Sequence, residues 1–438
     1  MEALAKLPVY DEYKKTRVKW LEEVPSHWSE YPICSKAKLK SITNKAGEDL
    51  LSVYLDKGVI RFGEVEQKRT NVTSLDLSKY QLVEVGDFVL NNQQAWRGSV
   101  GVSSYRGIVS PAYLVLSLAQ DLLSNFANYL FRDGGMVSHY LVSSKGVGTI
   151  QRNLYWPQLK RAPLFIPPVE EQISIANFLD QKTAQIDEAI AIKEKQIALL
   201  KERKQIIIQK AVTQGLNPNV PMKGSGVDWM GKVPKHWKVK KLRYLGNTQN
   251  GISAGAEYFG EGFPFVSYGD VYKNRVLPSY VKGLAKSSSG DQKLYSVLSG
   301  DVFFTRTSET VDEIGFASIC FEAIDRATFA GFLIRFRTLS TELTKEFSKY
   351  YFNAPMMREY FVTEMNLVIR ASLSQELLKN LLVALPPVKE QMKIFEYLED
   401  ISEKIDASIS LQIEQIGKLK EYKSSLINSA VTGKIKVA

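Results

Sequence analysis

Two stretches of this sequence carry side chains able to read the edges of nucleic-acid bases. Asn91-Asn92-Gln93-Gln94-Ala95-Trp96-Arg97-Gly98-Ser99 is the first, and Thr305-Arg306-Thr307-Ser308-Glu309-Thr310 holds the corresponding place further on. Asn or Gln can bond adenine through two atoms at once, and Arg can do the same with guanine. Each stretch follows a Gly-Asp pair that opens an apolar strand, Gly86-Asp87-Phe88-Val89 and Gly300-Asp301-Val302-Phe303. Two later stretches also bring an Arg forward: residues 146–153, with Gln151 and Arg152, and residues 365–372, with Arg370. Arg61, Lys68 and Arg69, and then Lys273, Arg275, Lys282 and Lys286, supply cations suited to phosphates. Taken singly, each of these is an ordinary solvated side chain, so the weight falls on the two loops after the Gly-Asp strands.

Other chemistry is looked for and not found. Gly226-Val227-Asp228-Trp229-Met230-Gly231-Lys232-Val233 comes within one residue of a phosphate loop, but Val233 stands where a magnesium-binding hydroxyl is required. Asn353-Ala354-Pro355-Met356 is not the Asn/Asp-Pro-Pro-Tyr/Phe motif of amino-methyltransferases. Glu-x-Lys triplets at Glu202–Lys204 and Glu421–Lys423 have the form of a nuclease metal site. They fall on long helical stretches, where charged flanks are the better account. His27 and His236 sit beside repeated aromatics and read as structural, and His139 has no nucleophile–base partner. No catalytic constellation and no metal site emerge.

The composition is that of an ordinary globular chain. Of 438 residues, 45% are hydrophobic and 24% charged, with a formal net charge of +10. This excludes a disordered chain, a collagen-like fibre and a disulfide miniprotein. Two cysteines, Cys34 and Cys320, build neither a disulfide framework nor a zinc ribbon, so a reducing cytoplasm is expected. The longest apolar runs are far shorter than a membrane span needs, and Met1–Lys6 has no apolar core of a secretory signal. The basic surplus permits nucleic-acid binding without establishing it.

What positions the reading loops is a frame written twice. Trp20-Leu21-Glu22-Glu23-Val24-Pro25-Ser26-His27-Trp28 returns 209 residues later as Trp229-Met230-Gly231-Lys232-Val233-Pro234-Lys235-His236-Trp237. Pro167-Pro168-Val169-Glu170-Glu171-Gln172 returns 219 residues later as Pro386-Pro387-Val388-Lys389-Glu390-Gln391, and that spacing holds to Ala211-Val212-Thr213 and Ala430-Val431-Thr432. Between these matches only the Gly-Asp strands echo one another. Each half is thus a variable block followed by a constant one.

In the constant blocks apolar residues recur at Ile175, Leu179, Ile186, Ile190, Ile197, Leu200 and Ile207, and again at Ile394, Leu398, Ile405, Ile409, Ile416, Leu419 and Leu426. Steps of 3, 4 and 7 are a heptad seam, not a strand alternation. Each block reads as a helix of about 40 residues, ~60 Å long. An isolated helix with one apolar stripe must bury it, and its own repeat is the nearest partner. Antiparallel pairing is the natural geometry because a whole domain lies between the two. The second copy of the repeat ends at Thr432-Gly433-Lys434, and the counterpart of the Trp229–Trp237 segment stands instead at the N-terminus, as expected of a cyclic, two-fold arrangement. The variable blocks alternate short β-rich runs with short helical patterns such as Leu122–Phe131 and Leu343–Phe352, which is α+β. The expected order is an N-terminal lead-in (1–23), a first variable domain (24–168), a long helix (169–214) and a linker (215–232). A second variable domain (233–387) and a second long helix with a tail (388–438) complete it.

Two variable domains, two helices each introduced by Pro-Pro-x-x-Glu-Gln, and the Trp-containing lead-in segments together resemble the specificity subunit of type I restriction–modification enzymes. Gly-Asp-Phe-Val-Leu before a polar loop is similar to that family too. The resemblance spans nearly the whole chain. It departs locally at Lys15-Thr16-Arg17, where the second copy has Gly224-Ser225-Gly226. It implies a non-catalytic subunit in which each variable block is a target recognition domain reading one half of a split, asymmetric DNA site. The helices would set the spacing and dock two methyltransferase subunits. No cofactor is implied for this chain; S-adenosylmethionine, ATP and magnesium belong to methyltransferase and restriction/translocase partners. Double-stranded DNA is the expected ligand, with no membrane. Rival readings are a self-sufficient nuclease or methyltransferase, disfavoured by the missing motifs, and a coiled-coil scaffold that never meets nucleic acid.

Overall fold

The structure, a computed structural model, describes residues 7–18, 20–55, 57–64, 76–146, 152–308, 314–364 and 371–437. Contacts divide the chain into two compact units: residues 1–193 with 413–438, and residues 194–412.

Unit one is built on a four-stranded antiparallel sheet of β1 (Ala37–Lys40), β2 (Phe88–Asn91), β3 (Val100–Val102) and β4 (Tyr113–Leu118), in the order β1-β4-β2-β3. Unit two repeats it with β5 (Gly246–Asn250), β6 (Asp301–Thr305), β7 (Ala317–Ile319) and β8 (Leu333–Thr338), in the order β5-β8-β6-β7. Identical topology under divergent sequence shows that the two variable blocks share one fold. Two helices follow each sheet, α1 (Ser124–Arg132) and α2 (Gly134–Val142) in unit one. A short strand then closes each domain: Pro163–Ile166 against Ser29–Pro32, and Leu382–Leu385 against Lys238–Lys241. The proline pair after each closing strand ends the ladder and releases the chain into a long helix. These are α3 (Val169–Gln214, 46 residues) and, after α4 (Lys345–Tyr351) and α5 (Pro355–Glu364), α6 (Val388–Val431, 44 residues). The fold is α+β, and its plan occurs twice.

The seam is buried as its period requires. Ile175, Leu179, Ile186, Ile190, Ile394, Leu398, Ile405, Ile416 and Leu426 are buried, while Ile197, Leu200, Ile207, Ile409 and Leu419 are half-buried. Within unit one, Lys193 donates to Gln415 at 2.5 Å and Lys423 to Asp187 at 2.6 Å, so the partner number rises as the helix number falls: the pairing is antiparallel. Within unit two, Lys204 donates to Asp406 at 2.6 Å, and Ile208 and Val212 share a core with Leu398 and Ile394. The lysines of both Glu-x-Lys triplets are therefore interhelix flanks.

The displaced N-terminal segment is likewise accounted for. In unit two the end of α3 turns at Gly215 (φ +75°), where a Cβ would lie 3.3 Å from Trp237. In unit one the end of α6 turns at Gly433 (φ +73°), where a Cβ would lie 3.3 Å from Trp28. Lys436 N–H donates to Pro8 at 2.7 Å and the Tyr13 hydroxyl to Gly433 at 3.0 Å, so the C-terminal tail takes up the N-terminal segment.

Candidate nucleic-acid interface

The repeated motifs turn out to be joints. Gln172 is buried; its amide donates to Asp121 at 2.9 Å and Pro167 at 3.0 Å, and its carbonyl accepts the Leu123 N–H at 2.9 Å. Gln391 does the same to Glu342, Pro386 and Thr344 at 2.6, 2.9 and 3.0 Å. The glutamine of Pro-Pro-x-x-Glu-Gln thus fixes each domain to the start of its long helix. Its neighbouring glutamate takes the repeated histidine, His27 to Glu171 and His236 to Glu390, both at 2.8 Å. A further joint lies outside every repeated motif. Tyr129 donates to Asp180 at 2.7 Å and Tyr350 to Glu399 at 2.5 Å, and burial pushes the Tyr129 hydroxyl up to about 12. The Gly226–Val233 stretch spans a turn into a short β-hairpin of Met222–Gly224 and Lys232–Pro234, with no helix for a phosphate loop to open. His139 packs edge-on against Trp20, with its basicity lowered by burial.

The Gly-Asp echo is also structural. Gly86 and Gly300 share φ +91°, a conformation that disfavours side chains, and each aspartate closes the turn before it. Asp87 accepts the Glu84 N–H at 2.6 Å and pairs with Lys40; Asp301 accepts the Leu298 N–H at 2.7 Å and grips Arg337 through both oxygens at 2.6 Å. These carboxylates aim the loop that follows.

In unit one that loop assembles a surface. Asn91 ends β2 and its side-chain carbonyl accepts the Gln93 N–H at 3.1 Å; the Trp96 indole donates to Gln93 O at 3.0 Å. A single 3-10 turn, Ala95–Arg97, closes on Gly98 in the left-handed region. The Arg97 guanidinium lies 4.5 Å from the Trp96 ring centre, and Arg152 lies 5.6 Å from the same ring. Arg152 arrives because Leu154 N–H donates to Asn92 O at 3.0 Å, drawing the end of the domain against the loop. Gln93 and Arg97 are exposed, and Asn91, Asn92, Gln94 and Trp96 half-buried. Two stretches 55 residues apart therefore meet on one indole flanked by two guanidinium groups. Arg61 is exposed elsewhere, over the Tyr105 ring at 5.1 Å.

Unit two uses the same junction with other contents. Leu373 N–H donates to Arg306 O at 2.7 Å, the counterpart of the Leu154–Asn92 bond, and Thr307–Ser308 pairs with Ala371–Ser372. Arg306 is half-buried beside Phe332, which is 62% exposed. Thr305, expected to contact DNA, is instead 0% exposed within β6, and its hydroxyl accepts the Phe316 N–H at 2.9 Å. It ends β6 at the place Asn91 holds at the end of β2, but its hydroxyl serves the Phe316 N–H in the core, whereas the Asn91 side chain serves the N–H of Gln93 in the loop. Lys273 and Arg275 are exposed on and just after a short helix, Tyr268–Lys273. Gln151, Lys68, Arg69, Arg370, Glu309 and Thr310 lie outside the described residues. Among the described residues no group of His, Cys, Asp and Glu could hold a metal, and no helix is long and apolar enough to cross a membrane.

The helices carry one more exposed feature. Ile192, Leu199 and Ile206 recur every seven residues on α3 and are about half exposed, as are Leu411 and Ile413 on α6. On α3 the three form an apolar stripe apart from the seam.

A doubled α+β frame that holds two different polar and cationic surfaces defines a recognition protein. Residues 234–415 match the family described as the type I restriction modification DNA specificity domain. The chain is 24% identical to the EcoKI specificity subunit of Escherichia coli K12, over 94% of this chain and 90% of that one. It is also 24% identical to the putative MjaX specificity subunit of Methanocaldococcus jannaschii, over 98% and 97%. Among solved structures it superposes on a chain of a type I R-M system with TM-score 0.70 at 15% identity, covering 94% of this chain and 99% of that one. The HsdS subunit of Thermoanaerobacter tengcongensis superposes with TM-score 0.53 at 16% identity, covering 94% and 98%. Residues 234–415 thus carry the type I restriction modification DNA specificity domain, and the chain is similar to type I specificity subunits along nearly its whole length.

Proposed function

We propose that this chain is the DNA sequence-specificity subunit of a type I restriction–modification complex. Each domain reads one half of a bipartite, asymmetric site. The observation that carries this reading is the pair of equivalent junctions, Asn92–Leu154 and Arg306–Leu373, held by the same joints yet presenting different side chains. Equal frames with unequal surfaces call for two unequal half-sites. In the first, Gln93, Trp96, Arg97 and Arg152 face the bases; in the second, Arg306 and Phe332 do so. Lys273 and Arg275 are suited to phosphates.

The long helices fix the spacing between the half-sites, and the apolar stripe of Ile192, Leu199 and Ile206 offers methyltransferase subunits a surface to dock on. The chain itself performs no chemistry. S-adenosylmethionine, ATP and magnesium serve the methyltransferase and restriction partners, and the complex works in the cytoplasm. Two domains on one connector gain affinity through effective concentration when the spacing matches. The test is to select random duplexes with the chain assembled on its methyltransferase partner. A site in two unlike parts with a fixed, unread spacer is expected; one continuous palindrome would contradict the reading.

A further inference from the structure

A cleft of about 670 Å³ opens in unit one between the α1–α2 corner and the helical pair. Arg97, Arg132, Lys420 and Lys423 line it together with Asp133 and Asp187. Both carboxylates are already committed. Asp133 caps α2 by accepting the Gly135 N–H at 2.8 Å and receives the Asn428 amide at 3.0 and 3.2 Å. Asp187 takes the Lys423 ammonium at 2.6 and 2.7 Å. Arg97 and Lys420 stand in no ion pair among the described residues, and they reach the cleft from different walls, the reading loop and the long helix. The excess charge of the cleft is therefore positive and uncompensated from within.

From this geometry we infer that the cleft holds the phosphodiester backbone of DNA beside the half-site that unit one reads. The inference rests on the reading of unit one as a DNA-recognition domain and adds where the duplex is gripped without regard to sequence. Two guanidinium forks match phosphate oxygens through paired N–H groups, and lysine adds a point charge. Arg97 belongs both to the Trp96 stack and to the cleft wall, so the grip begins where the base-reading surface ends. Unit two lacks the same set: the spacing of the tyrosine joints puts Asn353 where unit one has Arg132. The backbone grip thus belongs to one side of the split site.

The experiment measures binding of the complex assembled with its methyltransferase partner to duplexes with and without the recognised site, across a range of salt. Lys420→Gln should weaken both duplexes alike by several-fold and reduce the slope of log affinity against log salt by about 0.9, the loss of one phosphate contact. Lys420→Glu should do more, with the methylated sequence unchanged. Lys418→Gln removes the same charge outside the cleft, at a lysine already paired with Glu414 at 2.5 Å, and should leave the slope near wild type. Unchanged affinity and slope in Lys420→Glu would overturn the site. So would loss of the partner subunit with DNA affinity intact in the remaining complex, which would make the cleft a dock for an acidic protein segment. A wild-type complex that binds no duplex defeats the specificity reading itself, and shows this without any substitution.

Discussion

Asp87 and Asp301 close the same turn after the same left-handed glycine, yet one is met by Lys40 on β1 and the other by Arg337 on β8. That contrast runs through both units. Where the chain joins a domain to its long helix, the contacts repeat almost atom for atom: Gln172 with Gln391, Tyr129 with Tyr350, Glu171 with Glu390. Beyond the joints only the course of the backbone repeats. Unit one presents an indole flanked by two arginines; unit two presents an exposed phenylalanine beside a half-buried arginine. A joint must satisfy the same buried polar groups in each half, which leaves little room for change, whereas a reading surface answers only to its ligand.

The comparison breaks most visibly at the buried tryptophans. Trp28→Ala and Trp237→Ala each empty a fully buried site and should each cost about 3–5 kcal/mol, felt in the unit that holds the residue. Hydrogen exchange resolved along the chain checks this, and tolerance at one site alone would show the frames to be unequal. Next come Gln172→Ala and Gln391→Ala. Each strands one N–H and two carbonyls, at a cost of roughly 1–3 kcal/mol for each group left unsatisfied and buried. The two variants should lose similar stability in denaturant titrations without altering the sequence read.

The surfaces should behave in the opposite way. Arg97→Ala is expected to weaken binding by about 1–3 kcal/mol and relax selection within the first half-site alone, as profiled on duplex libraries. Thr305→Val should leave selection intact, since that hydroxyl serves the Phe316 N–H; stability falls by about 1–2 kcal/mol. A changed second half-site in Thr305→Val would return that residue to the interface.

The sequence shows the frame far better than the surfaces. The heptad steps give the paired helices, because a seam that buries itself must keep its period in the chain. The displaced Trp-containing segment gives the cyclic join, and the structure adds the left-handed turns at Gly433 and Gly215 that make it. Less legible is why Pro-Pro-x-x-Glu-Gln recurs: the work of Gln172 shows only once Asp121 and Leu123 are seen at its amide. The Tyr129–Asp180 joint escapes notice because its unit-two counterpart has glutamate for aspartate and a shifted spacing. Thr305 misleads because equal spacing from a Gly-Asp pair, and an equal strand end, do not give equal exposure. What separates the two is the partner of the side chain, the Gln93 N–H in its own loop for Asn91 and the Phe316 N–H for Thr305. Arg97 and Arg152 are visible as types, but their shared indole requires the Leu154–Asn92 bond.

The central claim is that two independent reading domains share one frame. Its most direct measurement is methylome sequencing of cells that carry the methyltransferase partner with either this chain or a variant whose residues 24–168 come from another family member. One half of the methylated site should change while the other half stays as it was. A change in both halves, or in neither, would contradict the account.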